Sequence, residues 1–180
     1  APVEPGSGGS SGSHLPVPGG PGGGAVRIDA SGAVTVNGVI TANGKNPGGY
    51  GSTSGSGGSI YITCRTIGGT YASGNGIVRA DAGANDAGGG RIAVIYDPAA
   101  QAALPIPTVL FSANGSTAGD LGTLYFSDNL FLTETVPYNG QWAVDGFTHW
   151  TPDNPTITGR IGFRRSGFRV TAANTLTGGA

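Results

Sequence analysis

Methionine is absent from the 180 residues, and cysteine and lysine occur once each, as Cys64 and Lys45. The missing methionine leads us to expect a mature chain after cleavage, or a fragment; Ala1-Pro2 at the start is compatible with signal removal. A lone cysteine forms no internal disulfide, and beside the alternating Ile60 and Ile62 it reads as a small core residue. Charge is scarce and balanced, nine basic residues against ten acidic. A nucleic-acid surface needs a basic stripe, so that class is excluded. No run of about 18 apolar residues exists, so no membrane span is expected. Glutamate occurs only at Glu4 and Glu134, and Asp29, Asp97 and Asp128 each precede turn residues. No acid–base pair for sugar chemistry emerges, and the reading is that the chain is not an enzyme. His14 and His149 lack ligand spacing, so zinc is not expected. No cofactor is implied.

What is abundant is glycine, 36 of 180 residues, well above the usual share of about 7%. There is no Gly-X-Y period, which excludes collagen. Apolar residues make up 37%, enough for a thin core. The chain is organised around Gly22–Gly44, GGGAVRIDASGAVTVNGVITANG. Three short alternating segments, 25–28, 33–36 and 39–42, are separated by Asp-Ala-Ser-Gly and Asn-Gly corners. The pattern returns. Glycines precede Ala25, Ser59, Arg91 and Thr123, each opening an apolar-alternating segment, at intervals of 34, 32 and 32 residues. A second marker recurs in step: Ile40–Gly44, Val78–Gly83 and Phe111–Gly115. Two markers at one period predict units that bury their apolar faces only by stacking on one another.

Residues 1–24 carry prolines and glycines without periodicity and read as an extended arm or a linker. Leu15 and Val17, flanked by Pro16 and Pro18, are the candidate contacts of such an arm with another subunit. Residues 45–58, 82–90 and 115–122 read as glycine-rich loops that leave one corner and exchange backbone hydrogen bonds. Residues 97–107 read as an excursion with one helical turn after Pro98. From residue 123 aromatics gather, with strands expected at 123–127, 130–133, 141–144, 156–161 and 168–172.

The run GGGAVRIDASGAVTVNGVITANG, followed by GSGGSIYIT, GGGRIAVIYD and LGTLYFSDN, resembles the glycine-rich right-handed parallel β-helix repeats of large secreted and cell-surface bacterial proteins. The resemblance covers about residues 20–130. It implies an all-β parallel β-helix, and with the residue readings above the expected division is an arm over 1–24, a parallel β-helix of three to four coils over 25–128, and an aromatic-rich C-terminal β region over 129–180 that is a further coil or a cap. It also implies an extracellular, structural or adhesive role without a shared catalytic motif.

Three functional readings remain from the sequence. The first is an extracellular structural subunit that assembles with copies of itself, head to tail, into a filament or surface layer by strand addition. The second is a glycan-binding module of a larger surface protein. Trp142 and Trp150 would offer stacking faces, and Arg160, Arg164 and Arg165 an anion patch, unless those arginines form a solvated face paired with Asp145 or Asp153. The third is a polysaccharide-degrading β-helix enzyme. No metal site is expected; Asp81, Asp86 and Asp120 are the nearest to a calcium set, and they are too sparse for a cage.

Overall fold

The computed structural model describes residues 2–12, 17–47, 49 and 51–178, which form short strands and one helical turn. In chain order the strands are β1 (Ala25–Asp29), β2 (Ala33–Thr35), β3 (Val39–Thr41), β4 (Ser59–Thr63), β5 (Thr66–Gly68), β6 (Ile77–Arg79) and β7 (Arg91–Ile95). After the helix α1 (Pro98–Ala102) come β8 (Leu110–Ser112), β9 (Thr123–Phe126), β10 (Thr135–Val136), β11 (Gly140–Ala143) and β12 (His149–Trp150). The last four are β13 (Thr156–Ile157), β14 (Ile161–Phe163), β15 (Arg169–Val170) and β16 (Thr177–Gly178).

All pairings between these strands are parallel. The main sheet runs β1-β4-β7-β9-β11-β14, and smaller sheets run β3-β6-β8, β2-β5, β10-β13-β16 and β12-β15. The registers follow the sequence markers. Ala25 lies opposite Ser59, Ser59 opposite Arg91, and Arg91 opposite Thr123. The second marker does likewise, with Ile40 opposite Val78 and Val78 opposite Phe111.

Alternation on the main sheet sends two columns inward. One is Val26, Ile60, Ile92, Leu124, Trp142 and Phe163; the other is Ile28, Ile62, Val94 and Phe126. Ile60, Ile62, Val94, Leu124 and Phe126 are wholly buried, each worth about 1.5–3 kcal/mol of apolar transfer. The core widens from the β1 end of the main sheet toward its later strands. Val36 and Ala42 fill it near β1–β3, whereas Phe111, Phe126, Phe131, Tyr138 and Trp142 form one aromatic cluster beyond β8. Burial pushes the Tyr138 phenol up to about 12, against an ordinary value near 10. A raised folded value means that its stabilisation is complete below about pH 10 and is lost as pH climbs through about 12. A series of urea melts at rising pH should fall by on the order of 2–3 kcal/mol over that window from this residue. Tyr138→Phe should flatten that share of the fall; an unchanged pH profile would contradict it.

The helical turn expected after Pro98 is α1, capped by the Asp97 carboxylate, which accepts the N–H groups of Ala99 and Ala100. It takes the place of a third strand beside β5. The buried Gln101 side-chain oxygen accepts the Ile67 N–H at 2.7 Å, and the Asp97 N–H donates to the Arg65 carbonyl. The buried Ile67 N–H, which would otherwise lack a partner, is thereby satisfied.

The glycine-rich tracts are packed, not loose. Gly6, Gly9 and Gly12 donate to the carbonyls of Gly23, Gly20 and Val17; Gly20 and Gly23 donate to Thr53 and Ser56; Ser54 and Gly57 donate to Asn85 and Gly88. Donors to one neighbour recur every third residue, the repeat of a polyproline II-type chain, and not every second as in a strand. The segments touch at carbonyl distance. A Cβ at Gly23 would stand 1.9 Å from the Ala42 oxygen, and one at Gly57 would stand 2.0 Å from the Ala80 oxygen.

Two expected strands differ from what forms. Residues 130–133 make a turn, because the Asp128 carboxylate accepts the Leu130 N–H and Phe131 drops into the core; the strand is β10, later in the chain. The segment 156–161 splits into β13 and the start of β14, which belong to different sheets. Gly159 makes that corner against the Tyr138 carbonyl, with 2.1 Å to a notional Cβ.

Candidate functional site

Side chains that do not enter the core line the outer face of the main sheet. One register column reads Arg27, Tyr61, Ala93, Tyr125, Ala143. Arg164 follows β14 and donates its N–H to the Trp142 carbonyl, which places it next in that column, beyond Ala143. Large and small residues alternate, so the face carries two depressions. The first, about 550 Å3, has Ala93 at its floor between Tyr61 and Tyr125, with Arg91, Thr123 and Pro2 at its margin. The second, about 320 Å3, has Ala143 at its floor between Tyr125 and Arg164, with Phe147, Phe168, Asp145 and Arg165 around it. Tyr125 and Arg164 belong to both.

The polar groups here are partly committed. The Tyr125 phenol donates to the Asp145 carboxylate at 2.9 Å. That hydrogen bond, with partial burial and the carboxylate's charge, holds the phenol above its ordinary value. Arg27 pairs with Asp29 at 2.6 Å and lies 5.7 Å from the Tyr61 ring centroid. It is the only ion pair among the described residues, so Arg164 and Arg165, both exposed, face the second depression without a carboxylate partner.

The residues singled out in the sequence fall in different places. Arg164 and Arg165 share the second depression. Arg160 lies elsewhere, with its guanidinium donating to Asn114 Oδ1 and the Gly115 carbonyl. Trp142 is 2% exposed and Trp150 8%. Trp142 stacks on Phe126 and donates its indole N–H to Asn129, and Trp150 packs against Phe163. Neither offers an open face for a sugar ring, because strand alternation turns both toward the core. Leu15 lies outside the described residues. Val17 is half-buried, and its carbonyl accepts from Gly12 and Ser52 of its own chain.

Asp81, Asp86 and Asp120 are not brought together; among the described residues no three His, Cys, Asp or Glu side chains converge. Asp81 belongs to a ladder of Asx side chains. The Asp81 N–H donates to Asn43 Oδ1, the Asn114 N–H to Asp81 Oδ1, and the Arg160 N–H to Asn139 Oδ1. Ser112 adds a hydroxyl donor to Asp81 at 2.5 Å. Two residues of the second sequence marker thus have a mechanical role: Asn43 and Asp81 each hold the backbone of the segment opposite, whereas Asn114 accepts the Arg160 guanidinium. Asp81→Ala would strand the buried Ser112 hydroxyl and the Asn114 N–H and should cost about 1–3 kcal/mol in a urea melt, with Asp81→Asn recovering much of it. Equal stability of Asp81→Ala and the parent would remove the ladder's role.

The other carboxylates raised as catalytic candidates are also committed. Asp29 pairs with Arg27, Asp97 caps α1, and Asp128 accepts from the Tyr96 phenol and the Leu130 N–H. Glu134 binds the N–H groups of Asp153 and Asn154.

Tyr61, Ala93, Tyr125 and Ala143 were not picked out from the sequence. For three of them a signal is present, since Tyr61, Ala93 and Tyr125, like Arg27, each stand third in a strand that follows glycine. Comparison with protein-family models, with curated proteins and with solved structures found no match for this chain.

Proposed function

We propose that the parallel sheets form one continuous β-solenoid, and that this solenoid is an extracellular structural subunit that associates with copies of itself, head to tail, by strand addition. The observation that carries the proposal is the common open edge of β1, β2 and β3. Gly24 and Ala30 bond to the β4 segment, so alternation of the parallel ladder points the N–H and C=O groups of Ala25, Arg27 and Asp29 away from it. Gly32 and Val36 bond to the β5 segment, and Gly38 and Ala42 to the β6 segment; the same reasoning turns out Ala33, Thr35, Val39 and Thr41. The inward residues Val26, Ile28, Val34 and Ile40 are only half-buried there. A solenoid end of this kind has unpaired backbone and apolar side chains in the same plane, which favours covering by another chain. The outer strands β14, β15 and β16 supply the opposite edge of their sheets. A contact between unlike ends grows a filament unless its rotation closes.

Electron microscopy and sedimentation over a range of concentrations test this. The parent protein should form linear assemblies. Arg27→Pro combined with Thr41→Pro removes two outward edge donors while sparing the bonds to β4 and β6. That variant should stay monomeric where the parent associates, with a melt within about 1 kcal/mol of it. A parent that is monodisperse throughout, or a variant that assembles equally, would overturn the proposal.

A further inference from the structure

We propose that the outward row Tyr61, Ala93, Tyr125, Ala143 and Arg164 is a docking site for an acidic, proline-rich segment in the polyproline II conformation, laid across the strands. Spacing is the first argument. The floors at Ala93 and Ala143 lie two strands apart, which is ~9.6 Å at ~4.8 Å per strand. A polyproline II chain advances ~3.1 Å per residue with three residues per turn, so every third side chain returns to one face after ~9.3 Å. An extended peptide repeats its face after only ~6.7 Å and falls out of step within one slot.

Shape is the second argument. Each slot is a small floor beside Tyr125, and flat aromatic walls are what proline rings pack against in grooves for such segments. The first slot already has a proline at its margin, Pro2 of the chain's own arm. Polyproline II segments are also largely ordered before binding, so a shallow row loses little to ordering its occupant.

Charge is the third. Arg91 stands at the first slot, Arg165 at the second, and Arg164 at both. The one carboxylate facing them, Asp145, holds the Tyr125 phenol. Three guanidiniums against one engaged carboxylate favour acidic residues between the prolines. The open edge over residues 25–41 contributes none of this row, so the proposal stands or falls separately from assembly.

Fluorescence anisotropy on the full chain tests it with a dye-labelled synthetic peptide carrying proline at every third position and glutamates between. That peptide should bind saturably, more weakly as salt rises. A peptide of equal composition with proline at every second position should bind at least about tenfold more weakly. Ala143→Leu fills one slot from an outward position and should weaken binding about tenfold while leaving the circular dichroism melt intact; Arg164→Ala should reduce both affinity and salt dependence. No saturable binding, equal affinity for the two peptides, or unchanged binding by folded Ala143→Leu would overturn the proposal. So would selective binding of an oligogalacturonate in place of the peptide, which would make the row a glycan site.

Discussion

Gly57→Ala is expected to destabilise the fold by about 3 kcal/mol or more, or to prevent folding, although a methyl group is the smallest addition a side chain can make. The new Cβ would stand 2.0 Å from the Ala80 carbonyl oxygen and 2.5 Å from the Gly90 nitrogen. Both are backbone atoms in packed segments, and the Gly90 N–H donates to that same Ala80 carbonyl. No side chain is available to swing aside, so the strand order itself must spread. Gly89→Ala should behave alike, because its Cβ would meet the Ala113 oxygen at 2.0 Å. Gly24 and Gly38 are the controls. Neither has an atom within 4 Å of a notional Cβ, and neither has a positive φ. Their alanine variants should be neutral, or stabilised by up to about 1 kcal/mol through the stiffer unfolded chain. Urea denaturation of the four variants decides it: similar midpoints across the set would mean that the glycine tracts are loose linkers.

Phe111→Ala is expected to cost about 3–5 kcal/mol, the range for removing a wholly buried aromatic ring. Phe111 is 0% exposed and makes edge contacts with Phe126 at 5.0 Å and Phe131 at 6.0 Å between ring centroids. It also lies opposite Val78 in the β3-β6-β8 sheet, so one ring ties that sheet to the main one. Val39→Ala, two strands away in the same sheet, outward-facing and 44% exposed, should stay within about 0.5 kcal/mol. The contrast reflects strand alternation, which turns Phe111 into the core and Val39 out of it. Comparable losses at both positions would contradict that alternation, and the denaturant slope should stay constant across the pair if both remain two-state.

Strand positions and register were legible because glycine and Asx markers repeat in step. Ser59, Arg91 and Thr123 each follow glycine, and these residues are the ones found opposite one another. The turn at 130–133 was not legible, since Leu130, Phe131 and Leu132 show a strand-like composition and only the Asp128 side-chain contact decides the turn. The packing of the glycine tracts was legible only in part: backbone hydrogen bonds between the loops were expected, but glycine carries no side-chain periodicity to show that donors recur every third residue. The tryptophans misled for a different reason. Trp142 lies between Gln141 and Ala143, which suggests a surface strand until its register with Leu124 and Phe163 turns it inward. The Tyr61–Tyr125 row needed an alignment of the repeats one upon another, because its members are 64 residues apart in sequence and adjoin only through Ala93.

Residue-resolved amide hydrogen exchange, followed from dilute to concentrated protein, goes to the heart of the proposed assembly. The amides of Arg27, Asp29, Thr35, Val39 and Thr41 should exchange freely when dilute and become protected as the protein associates, while those of Ile60 and Ile92 remain protected throughout. Association that leaves those edge amides exchanging freely, or that protects a different face, would show that the chains do not join by extending these sheets.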